Sequence, residues 1–180
     1  MKLKELLYKK RDDILKQWFD LIIETYPQET ALFLRNKKDR FSNPVGSIIF
    51  DGAKNLLDEI LQGVNPENVP IFLDNIIRVR AVQDFLPSEA ISFVFTLKKV
   101  IRKELSNEIR HNGLAEELLE FESQIDNLAK LSFDIFMKCR EKIYEIKAME
   151  LNRQTYTLLK RAKLIIDLEE QGNESLLSQE

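Results

Sequence analysis

Only one histidine, His111, and one cysteine, Cys139, offer strong ligand or nucleophile chemistry in these 180 residues. A zinc site needs several Cys or His ligands, or carboxylates at matched positions, so one of each is a poor start. The segment ELSNEIRH sets Glu108 three residues before His111, the spacing that diiron bundles use to aim a carboxylate and an imidazole from one helix face. Those sites need the pair twice, and here it occurs once. The plainer role for His111 is to interact with the last carbonyls of a helix. There is no glycine-rich phosphate loop, paired-cysteine motif or HExxH, and no nucleophile with a neighbouring base can be assembled. The sequence therefore predicts no enzyme activity, no catalytic residue, no metal site and no cofactor.

Arginines are the next candidates. Arg78 and Arg80 stand among Ile76, Ile77, Val79, Ala81 and Val82, and helical positions two apart point to nearly opposite sides. One of the pair is expected inside. Asp74 lies four residues before Arg78 and Asp84 four after Arg80, so each has a local carboxylate. These residues are candidate ligand or partner contacts, with a buried structural ion pair as the competing reading. Arg40, in KKDRFSNP, precedes a helix start whose free amides could hold an anion with it. The alternative needs no ligand: Asn43 caps the helix and Phe41 packs against it. Phe93, Phe95 and Phe121 allow an aromatic-walled cavity, although filled core is the commoner fate of such residues.

The elements that must position these groups are helical. Five glycines and five prolines punctuate long runs of helical period. Leu3 to Ile22 predicts a first helix over about two dozen residues. Thr25 is expected to cap a short second helix with Pro27 in its opening turn and Ala31, Leu32, Phe33 and Leu34 on its apolar side. Asn43 and Pro44 start the next, with Val45, Ile49, Ala53, Leu56 and Ile60 as its stripe, and Gly63 ends it. The spacing then predicts helices over Ile71 to Gln83 and Pro87 to about Arg110. From Leu114 neither proline nor glycine occurs until Gly172, longer than an ordinary globular helix. An all-α domain over residues 1–150 is expected, followed by a helical extension and polar tail over 151–180.

A net charge of -3 gives no broad reason to expect nucleic acid. No amino-terminal apolar run suits a signal peptide or membrane span, so a cytoplasmic location is expected.

In its motifs the chain resembles the amino-terminal domain of the RsbR and RsbRD type, co-antagonist proteins of the bacterial stressosome, and especially stand-alone relatives. The matches are Trp18 with Thr25-Tyr26-Pro27 in WFDLIIETYP, the run RFSNPVG from Arg40 to Gly46, and RVRAVQDFLPSEAISFVFTLK from Arg78. The resemblance implies a globin-like helical fold used as a sensory or protein-interaction module, commonly without heme, and dimerising in relatives in front of a regulatory domain. That downstream domain is not expected in these residues. A heme globin would require an axial histidine from the helix at Ile71 to Gln83, which has none; Tyr, Met or Cys139 would be unsupported substitutes.

The expected function is a non-catalytic signalling-interaction domain, homodimeric, conveying a state to another signalling protein. A heme or small-ligand sensor and a structural assembly factor are the alternatives. A ligand cavity between the Val45 and Ile71 helices would favour the sensor, and a solid core the interaction module. Phe133, Phe136, Ile143 and Ile146 continue the apolar supply past the needs of one core helix and are the candidate dimer surface.

Overall fold

The computed structural model describes residues 2–35, 41–63, 65–83 and 85–164, and every regular element among them is an α-helix. In chain order these are α1 (Leu3–Lys9), α2 (Arg11–Ile23), α3 (Gln28–Leu34), α4 (Pro44–Gln62), α5 (Val69–Val82), α6 (Pro87–Glu104), α7 (Ser106–Asn112) and α8 (Ala115–Arg161). The chain divides into two compact units, residues 1–140 and 141–180.

Within the first unit the broadest pairings are α4 with α5 and α2 with α6. Trp18 makes the second of these. Its ring stacks on Phe93 with centroids 6.3 Å apart, and its indole N–H donates to the Phe93 carbonyl at 2.7 Å. A buried indole that keeps its hydrogen bond contributes area without a desolvation penalty. Gly52 makes the first pairing close: a Cβ there would stand 2.7 Å from Cγ1 of Ile76. No ligand-sized gap separates α4 and α5 at that point.

Asn43 fixes how α3 meets α4. Its Oδ1 accepts from the Gly46 amide at 2.9 Å, a side-chain cap, while its Nδ2 donates to the carbonyls of Phe33 and Leu34 at 3.1 and 3.0 Å. One amide thus serves the carboxyl end of one helix and the amino end of the next. Pro44 at the first helical position needs no amide partner. Phe41 does not pack as expected, being 98% exposed.

Four other expectations change. The first helix is two, joined at Lys10, and the long helix after Pro87 breaks at Leu105. The two joints meet, because Lys10 Nζ donates to the Glu104 carbonyl and pairs with Glu108 at 3.2 Å. Thr25 does not cap α3; Pro27 stands at that position, and the Thr25 hydroxyl instead donates back to the Ile22 carbonyl at 2.7 Å. In α3 only Ala31 and Leu34 are buried, leaving Leu32 and Phe33 exposed.

Gly113, in the left-handed region at φ 65°, ends α7. In the first unit α8 then buries Leu118, Ile125, Leu128, Ala129 and Phe136. The described part of the second unit is the end of α8 and a short turn.

Candidate functional site

Arg80 is the inward arginine. It lies in the last turn of α5 and is 0% exposed. Helix carbonyl ends favour a cation, and here the guanidinium also reaches across to the first turn of α6. Nη1 donates to the carbonyls of Ala90 at 3.2 Å and Glu89 at 3.4 Å, and Nη2 donates to the Thr25 hydroxyl. Three rings surround it: the guanidinium carbon lies 4.5 Å from the centre of Phe85, 5.6 Å from Tyr26 and 5.8 Å from Phe93. Tyr26 meets Phe85 edge to face at 5.1 Å. Aromatic faces stabilise a desolvated cation by about 2 kcal/mol.

Among the described residues no carboxylate pairs with Arg80, and Asp84, its expected partner, lies outside them. Burial pulls the Arg80 pKa below its ordinary value, while Tyr26, through charge and a hydrogen bond, and the Glu89 carboxylate act the other way. Tyr26 itself is pushed up, chiefly by burial, so it stays a neutral phenol at pH 7 and is no counter-charge. Arg80 Nε, Tyr26 Oη and Gln83 Oε1 are buried without a partner in good hydrogen-bond geometry, although the Tyr26 hydroxyl lies close enough to the guanidinium for each to favour the other's charged form.

Arg78 takes the opposite course. It is exposed and bonds Asp74 through Nε at 3.1 Å and Nη2 at 2.7 Å, and this bond raises its pKa. The pair is a surface contact of small energetic consequence. Arg40 lies outside the described residues.

The expected dimer surface separates into different environments. Phe136 is 1% exposed and belongs to the core, since its position continues the Leu128 and Ser132 row one turn on. Phe133 is exposed and, with Ile91, Phe95 and Ala129, lines an open groove of about 520 Å³ flanked by Asp126, Lys130 and Asp134. In the second unit Ile143 is half-buried and Ile146 exposed. Tyr144, Met149, Leu151, Tyr156 and Leu158 are exposed as well. Tyr144, Leu151 and Leu158 recur every seventh residue, so they share one helix face.

The remaining candidates do less. His111 is exposed, with Nδ1 2.7 Å from the Asn107 carbonyl. Burial raises the thiol pKa of half-buried Cys139, which disfavours the reactive thiolate. Phe93 fills core, while Phe121 borders a cavity of about 270 Å³ with Leu7, Ile60 and Glu117. Among the described residues no group of three His, Cys, Asp or Glu side chains could hold a metal ion, and no helix is long and apolar enough to cross a membrane.

Sequence reasoning found Arg80 but missed Thr25, Tyr26 and Phe85 as its neighbours. The signal was there: Thr25-Tyr26 and Arg80 both lie in segments that carried the family resemblance, though nothing in local spacing joins them across 55 residues.

The family model for the RsbT co-antagonist protein rsbRD N-terminal domain matches residues 12–151. An uncharacterized protein of Archaeoglobus fulgidus is 25% identical over 143 residues, which cover 78% of this chain and 83% of that protein. No solved structure gives a significant match.

Proposed function

The chain belongs to the rsbRD N-terminal domain family, and from that premise we propose that it is a non-catalytic cytoplasmic signalling domain with a globin-like helical arrangement. It works as a homodimer and hands a state to a signalling protein. The observation that carries this reading is the exposed stripe Tyr144, Leu151 and Leu158 on α8. Water-exposed apolar residues at a seven-residue repeat are what a helix-to-helix contact requires. A second copy supplies a matching stripe by symmetry. Nothing favours the heme alternative in particular: α5 carries no histidine, and the packing of Gly52 on Ile76 leaves no gap there.

Sedimentation equilibrium on the full chain tests the proposal. The expected result is a mass near twice 21.2 kDa at micromolar concentration, falling to the monomer in a Leu151→Asp, Leu158→Asp double variant whose circular dichroism stays helical. A carboxylate in an apolar contact carries a desolvation penalty. A wild-type monomer throughout that range refutes the dimer, and a variant that still dimerises moves the interface elsewhere.

A further inference from the structure

We propose that the open groove between α6 and α8 is a further contact of the homodimer, filled by the same groove of the second copy. The inference deepens the dimeric reading above and rests on it, since it gives the first unit a contact of its own beside the stripe at the end of α8.

The groove begins where an ion-pair ladder ends. Arg102 donates to Glu122 at 2.7 Å, and one turn along each helix Lys98 pairs with Asp126 at 2.5 Å. The next rung would join Val94 to Lys130, which have no such bond to make. Past that level the two walls stay open, and Ile91, Phe95, Ala129 and Phe133 line about 520 Å³ between them. Phe95 is 43% exposed and Phe133 45%. Two rings half in water on facing walls are surface that association can bury.

Charge selects the occupant. The α6 side carries Lys98, Lys99 and Arg102, whereas the α8 side carries Glu122, Asp126 and Asp134 with Lys130 among them. One wall is mainly basic and the other mainly acidic. A two-fold axis running along the groove exchanges the walls, so that α6 of each copy lies against α8 of the other and unlike charges meet. The same axis brings Phe95 of each copy to Phe133 of its partner, an aromatic anchor on each side of the axis. Another protein would have to supply both the rings and the charge order, and a second copy carries them already. Both α8 helices then run the same way, so the stripe at their ends can meet its counterpart in the same dimer. Linked contacts reinforce each other, and loss of either weakens the whole.

Complementary variants of the full chain test the groove, with circular dichroism confirming that each stays helical. Phe95→Lys alone and Phe133→Glu alone each set a charge against a ring on both sides of the axis, and sedimentation equilibrium should show the dimer Kd rising about tenfold or more. Mixed in equal amounts, the two variants should prefer each other: one contact becomes lysine against glutamate and the other keeps both phenylalanines. Native mass spectrometry with one variant ¹⁵N-labelled reads the heterodimer share, which should exceed the statistical one. Phe95→Gln and Phe133→Gln, which add no charge, should raise the Kd in the same direction and replace the single-variant reading where a charged form does not fold. A statistical mixture, or a Kd that ignores these substitutions, overturns the groove contact, and the stripe reading stands if Leu151→Asp, Leu158→Asp still dissociates. A wild-type monomer at micromolar concentration overturns both.

Discussion

Arg80 and Leu151 each sit where their chemistry is least at home, the first a charge with no exposure and the second a leucine 64% exposed. The first unit handles its misfit internally. Carbonyls from α6, the Thr25 hydroxyl and three rings surround the guanidinium, so the cost of desolvation is offset by dipoles already in place. Among the described residues the end of α8 leaves its leucines exposed. On the reading proposed above, that apolar stripe is stabilised by association. The comparison is then between a region completed by its own chain and one that a partner would complete.

The sharpest way to break this contrast is to truncate a large apolar residue in each region. Trp18→Ala removes a fully buried ring and the indole N–H that donates to the Phe93 carbonyl, and should cost about 3–5 kcal/mol. Leu151→Ala should cost the isolated protomer less than about 0.5 kcal/mol. Urea denaturation at a concentration below dimerisation measures both, and comparable losses would mean that Leu151 is packed inside its own protomer.

Arg80→Met probes how complete the internal compensation is. Among the described residues no carboxylate pairs with this buried charge, so its removal relieves desolvation while losing charge-assisted hydrogen bonds to neutral acceptors, and the expected cost is below about 2 kcal/mol. A loss of about 3–5 kcal/mol in the same denaturation experiment would reveal a stranded carboxylate, and with it a structural ion pair.

The smallest effect concerns pH. Glu122, buried on α8, accepts from Arg102 at 2.7 Å through Oε2, and this hydrogen bond holds its pKa below the usual carboxylate range. A depressed folded-state pKa gives stability that is present above the unfolded value and lost as pH falls through the folded one. Glu122→Gln should therefore lower stability at pH 7 and have progressively less effect below about pH 4. In the second unit Glu150 is held low in the same direction by its hydrogen bond from Arg153, but at the surface, where solvent screens the pair, and thermal melts at pH 7 and 3 compare the two.

Much of this was legible in the residues. Asparagine and proline at positions 43 and 44 declare the start of α4 because a cap and a missing amide are local requirements. The opposed directions of Arg78 and Arg80 follow from helical geometry, though the spacing is symmetric and could not say which faces in. The joints at Lys10 and Leu105 were hidden for a physical reason. The Lys10 amide bonds the Leu6 carbonyl and Leu105 the Ile101 carbonyl, and buried Leu105 keeps the apolar period intact. Phe136 and Phe133 differ by less than one helical turn, too little for an apolar count to assign one to core and the other to surface. The ring around Arg80 comes from three separate segments, which only tertiary packing unites.

Amide hydrogen exchange over a range of protein concentrations tests most directly whether the end of α8 is completed by a partner. Exchange across residues 141–161 should slow as concentration rises through the dimerisation range, while residues 11–23, in α2, keep the same protection throughout. Exchange in 141–161 that is equally slow at every concentration, or equally fast, would contradict it.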